Sequence, residues 1–266
     1  MNLYDHLARA RSFLRSKRGL EPSPYFSISK HRIEEVGEAH RRAELATSDL
    51  ARMTFGHTGR VVDKWTHYLD HYDRHFSRFR ATPVKMLEIG VFKGGSLEIW
   101  REYFGPDATI FGVDINPECA DLVTEPNQVR IGSQADPDFL REVVEEMGGV
   151  DIVLDDGSHI APHQRASFET LWPMLGDKGI YAVEDVHTAY WPGGYEGGYR
   201  RSGSAVEFGK TVVDDMHGWY HAKGEQLVRK DDVDGVHFYD SIFFIDKKKS
   251  EPPMSVRLPL GSPITT

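Results

Sequence analysis

The sequence contains a single cysteine, Cys119, among its 266 residues. An internal disulfide is therefore excluded, and the scarcity of cysteine favours a reducing cytoplasm. No run of apolar residues approaches the roughly 18 that a membrane-spanning helix needs. The first residues also lack the basic and apolar regions that are typical of a secretory signal. We therefore expect a cytoplasmic protein that does not bind a membrane.

Positive charge is scarce relative to negative charge. There are 32 Lys and Arg residues against 41 Asp and Glu residues, which gives a net charge of -9. Because this overall field would repel a phosphate-rich polymer, nucleic acid is not expected as a main partner. With 39% hydrophobic and 27% charged residues, the composition is that of an ordinary soluble globular domain.

The N-terminal region, residues 1–80, is expected to be helical and to precede the main domain at residues 81–249. Residues 31–47 mix charges at helical spacing with few apolar positions, a pattern typical of a solvated helix. Further on, four aromatic residues recur at intervals of four, four and three, as on one helical face: Tyr68, Tyr72, Phe76 and Phe79. Three histidines interleave with them: His67, His71 and His75. Because aromatic residues alternate with these histidines, the pattern favours a packing face over a metal site.

From Val84 onward, short apolar runs alternate with segments at helical spacing. This alternation predicts βαβ units and a parallel sheet. The expected strands are residues 84–90, 108–115, 127–133, 150–158 and 178–186. The right-handed crossover rule then places helices on both faces of the sheet. We therefore expect an α/β, Rossmann-like fold with a central, mostly parallel sheet.

The C-terminal part is predicted to add an antiparallel hairpin to this sheet. Two β-rich segments, residues 224–230 (GEQLVRK) and 236–247 (VHFYDSIFFIDK), flank residues 231–235 (DDVDG). The polar residues between them are expected to form the turn. Residues 250–266 contain four prolines and no periodicity, which predicts an irregular tail.

A glycine-containing loop follows the first predicted strand. The acid Glu88 lies two residues before its first glycine, Gly90. Gly90, Gly94 and Gly95 have the spacing G-x-x-x-G-G, which differs from the dinucleotide fingerprint G-x-G-x-x-G. Glycine lets the backbone approach a ligand closely, and the following helix presents free N–H groups. Glu88, Gly90 and Gly94 are therefore candidate cofactor-binding residues. An ordinary strand-to-helix turn is the alternative.

Polar residues also follow the next strands in order. Asp114 ends the second strand, where an acid accepts hydrogen bonds from ribose hydroxyls in doubly wound folds. Ser133 follows the third strand, where a polar side chain can meet the adenine amino group. Capping of a helix N-terminus is the alternative for both. Their order along the sheet favours an adenosyl cofactor, and we also assign Asp155 to its site.

Acids and histidines end the fourth and fifth predicted strands: Asp155, Asp156, His159, Glu184, Asp185 and His187. The ends of neighbouring parallel strands lie side by side. Carboxylates crowded in this way repel one another unless a cation or protons separate them. Oxygen ligands suit Mg²⁺, Ca²⁺ or Mn²⁺. Helix capping or pairing with Lys and Arg is the alternative, but the paired motifs favour a metal.

These motifs resemble a known family, the metal-dependent class I O-methyltransferases that act on sugars, as in macrolide tailoring and in the mycobacterial methylmannose polysaccharide pathway. The glycine loop is similar to motif I of class I methyltransferases. The resemblance covers residues 56–246. It includes residues 63–68 (DKWTHY), 155–159 (DDGSH) and 184–185 (ED).

The resemblance implies S-adenosyl-L-methionine and Mg²⁺ as cofactors. It also implies Asp156, Glu184 and Asp185 as the Mg²⁺ ligands and His159 as the general base. The acceptor would be a sugar hydroxyl, on a macrolide deoxysugar or on a mannose or rhamnose unit of a glycan. A small-molecule or oligosaccharide acceptor is thus the expected partner, together with a second copy of the chain in a homo-oligomer.

Two other functions compete with sugar methylation. A catechol-type O-methyltransferase also uses Mg²⁺ to hold two adjacent hydroxyls, and a non-catalytic module would bind the adenosyl group without consuming it. Phenols are acidic and need less help to lose a proton, so His159 beside the acids favours an aliphatic alcohol.

The segment at residues 188–204 follows the ED pair and contains five glycines and four aromatic residues. It is predicted to be a lid that closes over a sugar, with rings stacked on its apolar face. A mobile surface loop is the alternative.

Overall fold

The computed structural model describes residues 33, 35–191, 193–222, 227 and 229–257. The strands of its sheet are β1 (Lys85–Ile89), β2 (Thr109–Asp114), β3 (Gln128–Ile131), β4 (Val150–Asp155), β5 (Leu175–Val183), β6 (Val233–Tyr239) and β7 (Ile242–Lys247). They lie in the order β3-β2-β1-β4-β5-β7-β6. Strands β1 to β5 are parallel, and β7 runs antiparallel to both β5 and β6. The predicted α/β fold, with its mostly parallel sheet and antiparallel C-terminal hairpin, is confirmed.

The α-helices of the described residues are α1 (Val36–Leu45), α2 (Asp49–Gly56), α3 (Tyr68–Phe76), α4 (Gly95–Phe104), α5 (Cys119–Leu122), α6 (Pro137–Met147), α7 (Ala161–Leu171) and α8 (Ala205–Met216). Local signals explain several of their ends. The Asp136 carboxylate accepts hydrogen bonds from the first-turn N–H groups of α6, and Gly148 ends that helix in a left-handed conformation. No helix in the described part of the chain is long and apolar enough to cross a membrane.

Both faces of the sheet are covered by apolar side chains. Leu87 of β1 packs in a cluster with α6, α7 and α8, while its neighbour Met86 packs in a second cluster with α3 and α4. Successive strand residues point to opposite faces, so each strand contributes to both clusters. Burying one such side chain contributes about 1.5–3 kcal/mol. This two-sided packing fixes the strand ends that carry the polar motifs.

The aromatic stripe of the N-terminal region lies within the second cluster. Tyr68, Tyr72 and Phe76 are fully buried, and Phe79 follows in a short 3-10 helix, partly buried against them. The prediction of one packed helical face is thus confirmed.

The interleaved histidines also pack against the protein. The ring of His71 stacks on Tyr239 at 3.8 Å, and that of His75 stacks on Phe244 at 4.2 Å between centroids. Burial lowers the pKa of His75 to about 4, so its ring is neutral at pH 7. His71 and His75 thus lie on a packing face, as their spacing with the aromatic residues predicted.

The solvated helix at residues 31–47 is confirmed as α1, which has no buried residue. Its Glu38 pairs with Arg41 and Arg42 on the surface. Residues 251–257 have no regular structure, as expected for the tail. Residues 1–32 and 258–266 lie outside the described residues. The domain boundaries at residues 80 and 249 stay a prediction.

The hairpin turn was assigned to the wrong residues. The turn is Asp240–Ser241, because Tyr239 of β6 pairs directly with Ile242 of β7. Residues 233–235 begin β6 instead of forming the turn, since Val233 is buried and pairs with Lys247. Ser241 has φ +63°, a left-handed conformation that is uncommon for residues with side chains and is found mainly in turns. Of the strand predicted at 224–230, residues 227, 229 and 230 lie outside any strand, and the rest lie outside the described residues.

Candidate active site

The glycine loop between β1 and α4 passes directly over the loop that follows β4. Gly90 has φ +95°, and a Cβ there would lie 2.1 Å from the backbone oxygen of Asp156. A side chain at this position is therefore excluded. Gly94 has φ +83° and precedes the first residue of α4. The contact brings the predicted cofactor loop beside the first of the predicted metal ligands.

Asp114 supports the same loop from the end of β2. Its Oδ2 accepts hydrogen bonds from the N–H groups of Val91 (2.9 Å) and Phe92 (3.2 Å), and its Oδ1 accepts one from Asn116 (2.8 Å). Partial burial opposes ionisation, but these three donors outweigh it and hold the pKa of Asp114 below its usual value. The carboxylate is thus ionised and retains lone pairs for further donors.

Ser133 and Gln134, the polar residues after β3, make different contacts in the structure. The Ser133 hydroxyl accepts a hydrogen bond from the N–H of Ala135, 3.1 Å away, within its own turn. The neighbouring Gln134 is buried: its Nε2 donates to Asp155 at 3.0 Å, and its Oε1 accepts from the N–H of Ser158 at 2.7 Å. Tyr181 also donates to Asp155, which is fully buried. Asp155 therefore lies apart from the group that contains Asp156.

Lys64 lies at the centre of a buried group of carboxylates. Its Nζ is 2.5 Å from Asp156 Oδ2, 2.7 Å from Glu184 Oε1 and 3.3 Å from Glu88 Oε1. Tyr72 donates a further hydrogen bond to Glu184 Oε1. Burial raises the pKa of Glu184 well above its usual value and raises those of Asp156 and Glu88, although Lys64 opposes all three shifts. One ammonium thus faces three carboxylates in a region of low solvent access.

Asp156, Asp185 and His159 form a more open group beside this cluster. One ligand-capable atom of each residue lies within 4.8 Å of the others. Nε2 of His159 is 3.7 Å from Asp185 Oδ2, and the Tyr68 hydroxyl donates to Asp185 Oδ1 at 2.8 Å. His159 and Asp185 have φ +54° and +53°, a conformation that costs energy for residues with side chains. Such strain is concentrated at functional sites.

His187, the other histidine of the two motifs, lies at the edge of this group. Its Nδ1 lies 2.5 Å from the Ser241 hydroxyl and 4.0 Å from Asp185 Oδ1. Its ring packs between Trp65 and Trp191, with centroids 5.3 and 4.8 Å away. Burial lowers the pKa of His187. These contacts give His187 a role in packing, whereas His159 faces the open group.

The residues present fit a divalent cation. Three carboxylates, from Glu88, Asp156 and Glu184, face one lysine, and Asp185 lies beside Asp156, so negative charge is in excess. Nδ1 of His159 is buried and makes no hydrogen bond within the described residues. Mg²⁺ is often held by one or two carboxylates with water or substrate at the other positions. Asp156 and Asp185 are placed where they could supply such a pair of oxygen ligands, while Glu184 faces Lys64 and Tyr72.

Three residues bond to the strand-end acids although the sequence analysis did not predict this role. Lys64, Tyr68 and Tyr72 belong to the DKWTHY stretch and the stripe that follows it, which was interpreted only as packing. In the structure their polar atoms bond to Asp156, Glu184 and Asp185. A buried tyrosine usually needs a partner for its hydroxyl, and this requirement was the available signal.

The proposed lid segment, residues 188–204, begins within a 3-10 helix that follows β5, Val186–Tyr190. Trp191 and Tyr195 contact each other at 5.5 Å between ring centroids, while Tyr190 and Tyr199 are exposed. The N–H of Ala161 donates to the Tyr195 backbone oxygen at 3.4 Å, which joins the segment to the loop that carries His159. Closure over an acceptor stays a prediction.

Comparison with known proteins agrees with this geometry. Residues 87–186 match a family model described as a methyltransferase domain. The chain is 34% identical over 250 residues to 8-demethyl-8-(2-methoxy-alpha-L-rhamnosyl)-tetracenomycin-C 3'-O-methyltransferase of Streptomyces olivaceus, covering 90% of this chain and 63% of that protein. It is 30% identical over 264 residues to mycinamicin VI 2''-O-methyltransferase of Micromonospora griseorubida, covering 88% and 64%.

A solved structure is similar as well. The MycE methyltransferase of the mycinamycin biosynthetic pathway, in complex with Mg, SAH and mycinamycin VI, matches with a TM-score of 0.66 and 29% identity, covering 86% of this chain and 57% of that one. The fold is therefore that of the class I methyltransferases. The chain is similar to these sugar O-methyltransferases over most of its own length, and it spans less than two thirds of the length of these relatives.

Proposed function

We propose that the chain transfers a methyl group from S-adenosyl-L-methionine to a sugar hydroxyl in a Mg²⁺-dependent reaction. The observation that carries this proposal is the group of Asp156, His159 and Asp185, placed directly beneath the glycine loop at Gly90. A methyl donor, a cation and a base would thus meet at one edge of the sheet. The relatives named for methylation of rhamnosyl and other sugar-bearing natural products support a deoxysugar acceptor.

The cofactor would lie along the ends of β1, β2 and β3. Gly90 and Gly94 keep the backbone free of side chains there, and Glu88 holds the start of α4 through Ser96, 2.7 Å away. Asp114 offers an ionised acceptor for the ribose hydroxyls. Ser133 is the adenine-side candidate, and Asp155 is the other residue predicted to bind the cofactor. Because Asp155 is fully buried, we assign it the support of the Gln134 loop.

Asp156 and Asp185 would hold the cation, with Glu184 as the third predicted ligand. In the structure Glu184 anchors Lys64 and accepts from Tyr72. When bound, Mg²⁺ would lower the pKa of the acceptor hydroxyl, and the sulfonium cofactor would supply the methyl group. Tyr68 fixes the orientation of Asp185 through its hydroxyl.

His159 would accept the proton of the acceptor hydroxyl as its oxygen takes the methyl group. Nδ1 is buried without a hydrogen bond in the described part of the chain, and Nε2 faces Asp185. His159 has a left-handed backbone conformation, and its ring lies in the open group beside Asp185. An aliphatic alcohol holds its proton tightly at neutral pH, so a positioned base has a large effect on this reaction.

The acceptor class is tested with labelled S-adenosyl-L-methionine and Mg²⁺ over a panel of acceptors. We expect label transfer to rhamnosides or macrolide deoxysugars with adjacent free hydroxyls, because a pair of oxygens can contact the cation together. Catechol should accept label poorly, and a deoxysugar that lacks one of the two hydroxyls serves as the control. Transfer to catechol alone would contradict the sugar assignment, and cofactor binding without any transfer would indicate a non-catalytic module.

Cofactor binding should depend on Asp114. We expect Asp114→Ala to weaken S-adenosylhomocysteine binding by about 1.5–3 kcal/mol, the usual range for hydrogen bonds to a charged group. Calorimetric titration measures this affinity. Because Asp114 also bonds to Val91 and Phe92, Asp114→Asn is the matched control for the loop itself. Unchanged affinity in a folded Asp114→Ala protein would exclude the ribose assignment.

A further inference from the structure

A second group of metal-binding side chains lies where α3 meets the hairpin of β6 and β7. His75 comes from α3, His237 from β6 and Asp246 from β7, and one ligand-capable atom of each lies within 4.8 Å of the others. Nε2 of His237 is 2.9 Å from Asp246 Oδ2. The ring centroids of the two histidines are 4.8 Å apart. Helix α3 thus meets the two strands of the distant hairpin at one point.

This group is separate from the candidate active site. Asp246 pairs with Ile180 of β5, three residues before Val183 at the strand end. At a rise of roughly 3.3 Å per residue, the separation along the sheet is about 10 Å. His75 likewise lies seven residues after Tyr68 on α3, again about 10 Å along the helix axis. A metal bound here would not take part in methyl transfer.

The surroundings hold two of the three ligands in place. His75 is only 8% exposed, stacking on Phe244 fixes its ring, and its Nε2 lies 3.1 Å from the Tyr239 hydroxyl, a contact that an ion would replace if it bound at that nitrogen. Arg78 donates to Asp246 Oδ1 at 3.3 Å, which leaves Oδ2 directed at His237. The positive charge of Arg78 reduces the affinity for a cation, but its side chain is half-exposed and therefore screened by solvent. His237 is also partly exposed, so an ion can enter from solvent.

We propose that His75, His237 and Asp246 bind a divalent transition-metal ion of the zinc class. Two imidazole nitrogens and one carboxylate form a common zinc ligand set, with the fourth tetrahedral position left for water. Nitrogen ligands also disfavour Mg²⁺, which prefers oxygen. The two sites would therefore select different metals.

A bound ion would tie α3 to the hairpin at the edge of the sheet. Helix α3 carries Tyr68 and Tyr72, whose hydroxyls bond to Asp185 and Glu184. The ion would thus stabilise the scaffold that positions these two acids. Its effect is on stability, since none of its ligands contacts the active-site group.

The test is a calorimetric titration of the whole chain with ZnCl₂ in excess Mg²⁺, which saturates the oxygen-ligand site. We expect His237→Ala and Asp246→Asn to weaken zinc binding at least about 10-fold, the minimum effect typical of disturbing a metal site. His40→Ala, which removes an exposed histidine of α1, should leave it unchanged. His159→Ala should also leave it unchanged, which separates this site from the active site.

Thermal unfolding gives a second readout. Zn²⁺ should raise the Tm of the native protein and of His40→Ala, because the ion binds the folded state, and should not raise that of His237→Ala. Absence of zinc binding by the native protein would overturn the proposal. So would zinc binding that survives in His237→Ala or disappears only in His159→Ala.

Discussion

Replacing His159 by alanine is expected to lower turnover by about 10²–10⁴-fold, the usual range for loss of a general base. The imidazole lies 3.7 Å from Asp185, in the group that would hold the cation and the acceptor. Cofactor affinity should stay within the native range, because His159 does not contact the glycine loop or Asp114 in the proposed arrangement. Initial rates with labelled cofactor, measured beside calorimetric binding of S-adenosylhomocysteine, give both quantities.

His187 provides the matched control. Its Nδ1 lies 2.5 Å from the Ser241 hydroxyl, and its ring packs against Trp65 and Trp191. We therefore expect His187→Ala to affect stability more than turnover. A second variant, His159→Asn, suits the left-handed backbone at that position, because Asn adopts this conformation more readily than most residues. If His159→Asn turns over at a near-native rate while His187→Ala does not, the base is His187.

The strand-end acids could be predicted from sequence because the topology alone brings them together. Parallel strands place their carboxyl ends at one edge, and β4 and β5 pair from Ile152 and Ile180 to Asp155 and Val183. Asp156 directly follows β4, and Asp185 lies two positions after the end of β5, so the two acids must then be close together. The same logic placed Asp114 beside the glycine loop, where it bonds to Val91 and Phe92.

Lys64 could not be placed in the same way. It lies 92 residues before Asp156 and 120 before Glu184 along the chain, in a segment without strand periodicity. Only the path of the backbone ahead of α3 brings its ammonium to the carboxylates. The contacts of Gln134 with Asp155 and Ser158 were missed for a similar reason, since side chains in a loop do not alternate in a fixed way. The hairpin turn was misplaced because Asp240 and Ser241 interrupt an apolar run by only two residues, whereas DDVDG has the composition of a turn.

Removal of divalent cations is expected to reduce turnover by about 100-fold or more, and added Mg²⁺ or Mn²⁺ should restore it. A metal contributes several kcal/mol of transition-state stabilisation, and each 1.4 kcal/mol corresponds to about tenfold in rate. The measurement is initial rate after treatment with EDTA and after readdition of each ion. Asp185→Asn keeps the size of the side chain but removes its charge. The initial rate of this variant should therefore rise less than that of the native protein when Mg²⁺ is added back.

The effect of Mg²⁺ on thermal stability distinguishes residues that bind the ion from residues that only lie beside it. Mg²⁺ at 100 times its Kd should stabilise the native fold by about 2.7 kcal/mol, which appears as a higher Tm. This shift should shrink in Asp156→Asn and Asp185→Asn, because each loses a charged oxygen ligand. Lys64→Met leaves three buried carboxylates without their cation, so it should lower the Tm in EDTA and increase the shift that Mg²⁺ produces. Full activity in the chelator, with no Mg²⁺-dependent shift in any variant, would show that Lys64 is the only cation the acids require.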